Sequence, residues 1–285
     1  MKDIILHSSQ MRVHVNALGA ELKGVELGGL EYLWQGEAGI YPRTSPTLFP
    51  IVGRFLSDTY YVGDQPYQMP LNGIVMDRNF TCVHADENSA EFRLEADEIT
   101  QRAYPFSFAL TVSYTVRENR LEVAYCVENK GDSPMPFGVG CHTAYRWPLF
   151  DGESPEDYRL CFEKEENIES FNPFGWRQPF VCNTKVRPLS HSLFANYTRS
   201  ITNIQSSWIT FCAKTHGRGV RIHREGFPFL AIWTLPSDSA KLICLEPCLS
   251  IHAGDRGCTY LEDREGTEIL PARSTWNRSF TLEFL

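Results

Sequence analysis

Residues 106–128 read FSFALTVSYTVRENRLEVAYCVE. Apolar and polar side chains alternate on both sides of Arg117-Glu118-Asn119-Arg120, the period of a half-buried strand rather than of a helix. The four polar residues between the two runs read as a hairpin turn. The same grammar recurs along the chain, at 11–17, 91–95, 208–213, 219–223, 229–234, 242–246 and 279–284. These segments are short, rich in Val, Ile, Thr and aromatics, and bounded by Gly, Pro, Asn or Asp. His216-Gly217-Arg218-Gly219 reads as a second tight turn. Helical patterning is thin, with a turn or two expected at 95–103 and 190–197. The pattern predicts an all-β chain of large, packed antiparallel sheets, forming one domain over 1–285.

Composition narrows the function classes. The 285 residues are 42% hydrophobic and carry a net charge of −8. That balance supports a sizeable core and argues against binding to a nucleic-acid backbone. The expected partner is a neutral small molecule, with neither nucleic acid nor membrane, on a monomer or homodimer. Nine cysteines, an odd number scattered through apolar runs, read as free thiols in a reducing compartment. With no leader visible in MKDIILHSSQ, the expected location is cytoplasmic. Residues 150–190, interrupted by Pro155, Pro173, Pro179 and Pro188, look the least regular. They read either as an excursion packed on the sheet surface or as a flap over a site.

Two stretches carry candidate chemistry. In FGVGCHTAYRW at 137–147, Gly138, Gly140 and His142 share one strand face. The glycines would leave bare surface through which a ligand reaches the imidazole. In LICLEP at 242–247, Glu246 ends an apolar run before Pro247, a setting in which a carboxylate is usually paired or functional. A histidine and a glutamate are the minimum pair for moving protons across a small molecule. Cys244, Cys248 and His252 have a spacing that suggests metal ligands, but no second cluster accompanies them, so no metal or other cofactor is expected. Arg221 and His223 in GRGVRIHRE (217–225) suit a solvated hairpin better than a phosphate site.

These segments resemble, in order, the aldose 1-epimerase (galactose mutarotase-like) family, and within it the LacX-like branch. The resemblance rests on GAELKGVELGGLEYLWQG (19–36), SPTLFPIVGRF (45–55), YPFSFALTVSY (104–114), FGVGCHTAY (137–145), FPFLAIWT (227–234) and ICLEP (243–247). It implies a β-supersandwich and acid–base interconversion of the α and β anomers of a free hexose or related sugar, with no metal needed. By position, His142 would be the general acid and Glu246 the general base. Arg54, Asn72 and Trp233 would contact the sugar, Trp233 as an aromatic wall if it is not core. The chain departs from the family where His-Gly-Phe-Ala-Arg is usual: it has Asn72-Gly73-Ile74-Val75-Met76. Asn hydrogen-bonds but carries no charge, and Met offers apolar contact alone. Thr143 replaces the proline after the acid, and Cys248 the tryptophan after Glu-Pro. An altered sugar, a weaker enzyme, or a carbohydrate-binding or regulatory protein without turnover all remain open, as does a phosphorylated sugar.

Overall fold

In the computed structural model, the described residues are 3–194, 198–237, 240–251 and 259–285. The chain is mostly strand, as its alternation predicts. A four-stranded N-terminal sheet runs Asp3–His7, Met11–Asn16, Glu21–Leu27 and Leu30–Glu31 in sequence order. A 15-stranded antiparallel sheet carries most of the rest. The stretch quoted first lies toward one end of its strand order, next to Ser89–Glu95 and Thr275–Phe284. Phe108–Arg117 and Arg120–Asn129 pair from Phe108–Asn129 to Arg117–Arg120, turning through Glu118, whose φ of 52° is left-handed. Leu110, Val112, Tyr114, Leu121, Val123, Tyr125 and Val127 are all buried in the main core. Each such burial contributes about 1.5–3 kcal/mol, so the alternation predicted from sequence is the main force fixing this register.

Helix is as sparse as expected. Glu98–Ala103 forms a short α-helix, its Asp97 cap accepting from the Ile99 and Thr100 amides. His191–Phe194 is a single 3-10 turn within the 190–197 stretch where a turn or two was expected; residues 195–197 lie outside the described residues. Among the described residues no helix is long and apolar enough to cross a membrane.

The reading of 150–190 as irregular is overturned. Tyr158–Phe171 and Arg177–Pro188 form a hairpin of 14- and 12-residue strands. Register shifts between Cys161 and Glu166, and again on either side of Asn167–Ile168, break the alternation that would have announced them. Such bulges insert unpaired residues, which is why the period-two signal fails there. Glu166 is drawn inside at the first of them, where its carboxylate accepts from the Ser206 amide at 2.7 Å and hydroxyl at 2.6 Å.

One end of the large sheet positions the site. Its strand order runs Thr47–Leu48, Gly140–Cys141, Leu242–Cys248, Phe229–Trp233, Arg199–Ile201, Tyr158–Phe171. Ala144–Arg146 continues the histidine strand along Leu242–Cys248.

Candidate active site

Gly140 pairs with Cys248 and Ala144 with Cys244. His142 therefore stands opposite Glu246, on the same face of neighbouring antiparallel strands. Its Nε2 lies 3.4 Å from Glu246 Oε1. On the other side of the glutamate, register places Ala231 opposite Glu246 and Ser200 opposite Ala231. The small Ala231 leaves space above the sheet beside the carboxylate. His142, Glu246, Ala231 and Ser200 all line one cleft of roughly 1150 Å³.

The structure corrects the expectation for the glycines. A Cβ at Gly138 would lie 1.9 Å from Ser250 Oγ, and one at Gly140 2.8 Å from Cys248 Cβ. The hydrogens are needed because Pro247–Ser250 packs on them, so these glycines serve chain packing and open no path to the imidazole.

Tyr41 was missed in the sequence. Its hydroxyl is 3.0 Å from His142 Nδ1 and its ring stacks on the imidazole at 5.1 Å. Trp233 completes an aromatic corner, 5.7 Å from His142 and 5.5 Å from Tyr41. It lines the cleft from the end of its strand and packs at the same time on the apolar cluster of Trp34, Ala144, Leu242 and Cys244. No local pattern could have singled out Tyr41, because the link is long-range. The Ala144 amide donates to Thr44 O at 2.9 Å and the His142 amide to Pro46 O at 3.1 Å, laying residues 41–46 alongside the histidine. Buried Glu21 fixes that segment, accepting from the Thr44 and Ser45 amides at 2.6 and 3.1 Å.

Arg43 was also missed. It lines the cleft, pairs with Asp77, and donates to Met76 O at 3.3 Å. A guanidinium thus stands beside the position where the family's arginine became Met76. Met76 itself packs on an apolar cluster with Val52, Phe229, Ala231 and Ile251. Arg78, another candidate to replace the lost charge, is engaged with Asp97.

Of the remaining sequence candidates, Arg54 stands at the cleft rim, half exposed, 3.6 Å from Asp58. Asn72 lines the cleft too, but it locks a turn. Its φ is 63°, its amide donates to Gly53 O, and its Oδ1 accepts from the Gly53 amide, both at 2.7 Å. Thr143 is turned inward to Ser45 Oγ at 2.7 Å. Arg221 and His223 are taken up by Glu283 at 3.6 and 3.0 Å, outside the cleft.

Burial dominates the electrostatics. It pulls the His142 pKa down to about 4, with the Arg43 guanidinium adding to the effect. It pushes Glu246 well above the usual carboxylate range. The close approach would suit an ion pair, yet desolvation favours the neutral form of each group. Near neutrality we take the two to hold one proton between them, as coupled neighbours do. Cys244 is buried beside them, its sulfur within 4.8 Å of donor atoms of both. The sequence paired Cys244 with Cys248 and His252 instead. His252 lies outside the described residues, and Cys248 packs under Gly140. A divalent ion held by Cys244, His142 and Glu246 would occupy both members of the acid–base pair.

The aldose 1-epimerase family model matches residues 2–266. The chromosomal protein LacX of Lactococcus lactis subsp. lactis is 30% identical over 298 residues, covering 99% of both chains. A galactose mutarotase related enzyme from Lactobacillus acidophilus superposes with a TM-score of 0.92 at 24% identity, covering 100% of this chain and 97% of that one. A galactose mutarotase-like protein from Lactobacillus casei gives 0.91 at 24% identity, with full coverage of both. The galactose mutarotase-like architecture is therefore that of this chain, whose sequence matches extend over nearly its whole length. The chain belongs to the aldose 1-epimerase family.

Proposed function

We propose that the protein interconverts the α and β anomers of a reducing sugar by acid–base ring opening at His142 and Glu246. The observation that carries this is the opposed pair itself, with His142 Nε2 and Glu246 Oε1 3.4 Å apart on the floor of a cleft. The two oxygens that exchange protons in mutarotation, the anomeric hydroxyl and the ring oxygen, share one carbon. An acid and a base meant for them must stand side by side rather than face each other across a substrate.

Glu246 takes the proton from the anomeric hydroxyl as His142 gives one to the ring oxygen. The C1–O ring bond breaks, leaving an open-chain aldehyde. Rotation about C1–C2 presents the other carbonyl face. Reclosure returns the proton from Glu246 to the new anomeric oxygen and that of the ring hydroxyl to His142. One shared proton at the start is the state this cycle requires, with internal transfer giving carboxylate and imidazolium. Trp233 offers an aromatic face to the apolar side of the sugar ring, and Arg43 a donor to its hydroxyls.

Anomer exchange on a panel of free aldoses, followed by NMR, tests this reading. The protein should accelerate exchange above buffer. Glu246→Gln should lose at least the roughly 10²–10⁴-fold contributed by one positioned acid or base. A Gln variant as active as the parent would refute the assignment. Binding without acceleration would instead favour a carbohydrate-binding protein.

A further inference from the structure

The cleft is larger than its floor needs. A volume of roughly 1150 Å³ exceeds the range of about 300–1,000 Å³ usual for drug-sized ligands, and one hexose is smaller than those. The tip of the long hairpin, at Phe171–Arg177, reaches this cleft through Asn172, Pro173, Phe174 and Trp176. There Phe174 and Trp176 are 51% and 69% exposed while lining the same cleft as His142 and Glu246. Trp176 above all, a large aromatic ring held in water at the mouth of a sugar-sized opening, calls for a ligand.

The tip is built to hold them. Asn172 Oδ1 accepts from the amides of both Phe174 and Trp176 at 3.0 Å, and the Asn172 amide donates to Trp176 O at 3.1 Å. Gly175 supplies the left-handed φ of 76° that closes the turn. Register ties the tip to the floor through a transverse row: Glu246 opposite Ala231, Ala231 opposite Ser200, Ser200 opposite Phe171. Three strand spacings of about 4.8 Å put the hairpin's end roughly 14 Å from the glutamate strand. That is beyond one pyranose ring seated at the acid–base pair.

We propose that Trp176 and Phe174 form an outer subsite for a second sugar unit, so that the substrate is a reducing disaccharide or longer oligosaccharide. The proposal rests on the epimerase reading for its orientation. The anomeric carbon must sit at His142 and Glu246, which points the hydroxyls of the far side of the ring toward the mouth. A glycosidically linked unit on that side reaches the aromatic platform while C1 stays free to open. A phosphate there would meet aromatic rings and arginines already neutralised by carboxylates, Arg43 by Asp77 and Arg54 by Asp58. A second pyranose, with apolar faces and hydroxyl edges, matches rings flanked by polar groups.

The test separates this subsite from the catalytic reading by measuring binding without turnover. In the Glu246→Gln protein, titration calorimetry compares glucose and galactose with maltose, cellobiose and lactose. At least one disaccharide should bind about tenfold tighter than its reducing-end hexose. Adding Trp176→Ala should bring that ratio close to one, and Trp176→Phe should keep most of it. Equal affinity for hexose and disaccharide, or a Trp176→Ala change that weakens both alike, would overturn the subsite. Absence of any sugar binding overturns it as well. NMR anomer exchange on the unsubstituted protein reads the other claim. A retained disaccharide preference with no exchange would leave the subsite standing and remove the epimerase.

Discussion

The Tyr41 hydroxyl lies 3.0 Å from His142 Nδ1, behind the imidazole as seen from Glu246. Burial holds the Tyr41 pKa far up, so the phenol stays neutral and its oxygen can accept from Nδ1–H. The proposed cycle needs that tautomer: with Nδ1 protonated, Nε2 turns its lone pair to the Glu246 carboxyl and takes the proton that makes it the acid at the ring oxygen.

Tyr41→Phe should therefore keep the ring stack and lose the tautomer control. The expected result is about a tenfold fall in kcat for anomer exchange with KM little changed. A change in KM alone would mean that Tyr41 only shapes the cleft.

The pH profile of kcat/KM follows from the one-proton pair. His142 is depressed to about 4, so acid fills the second proton site only near that value. Exchange should stay flat from neutrality down to about pH 5 and fall below it. An alkaline limb should appear as the last proton leaves the pair, displaced upward by the burial that raises Glu246. An acid limb centred near the ordinary histidine value of about 6.5 would show that His142 is not desolvated in solution.

Glu246 should also cost stability. Its folded pKa is raised, so its favourable contribution is complete below the unfolded value near 4.5 and is lost as pH rises toward the folded one. Glu246→Gln removes the ionisation and fills the same volume. Its melting temperature should exceed the parent's by a few degrees at pH 8, at about 2–4 °C per kcal/mol for chains somewhat smaller than this one. The gap should shrink at pH 5. A gap that is constant with pH would mean that the gain came from packing alone.

Restoring the family's histidine should not restore a catalytic group. Asn72→His loses the bond from the Gly53 amide to Oδ1 and strains a backbone at φ 63°. The expected cost is about 1–2 kcal/mol in urea denaturation, with no gain in exchange. A stable and faster variant would show that the position can still serve the sugar directly.

Much of the fold was open to direct reading. The alternation at 106–128 specifies two paired strands because a one-residue slip would expose every buried side chain. The strands at 208–213 and 219–223 fell where the pattern put them, for the same reason. The hairpin at 158–188 escaped because its bulges break the period and its outward face is partly polar. At the site, His142 and Glu246 were visible as polar residues in strand-like apolar surroundings. Tyr41 and Arg43 were not, since nothing in residues 40–46 departs from ordinary loop composition.

What the sequence alone determined is therefore the class of structure and the two ionisable groups, because side-chain periodicity and residue chemistry are local properties. Only the tertiary structure decided that those groups stand in register 3.4 Å apart, that Tyr41 backs the imidazole, and that Asn72 holds a turn. It also decided that Gly138 and Gly140 serve packing and that a hydrogen-bonded hairpin tip brings Trp176 to the same cleft. Each depends on which strands become neighbours, and strand order is set by burial summed over the whole sheet rather than by any one segment.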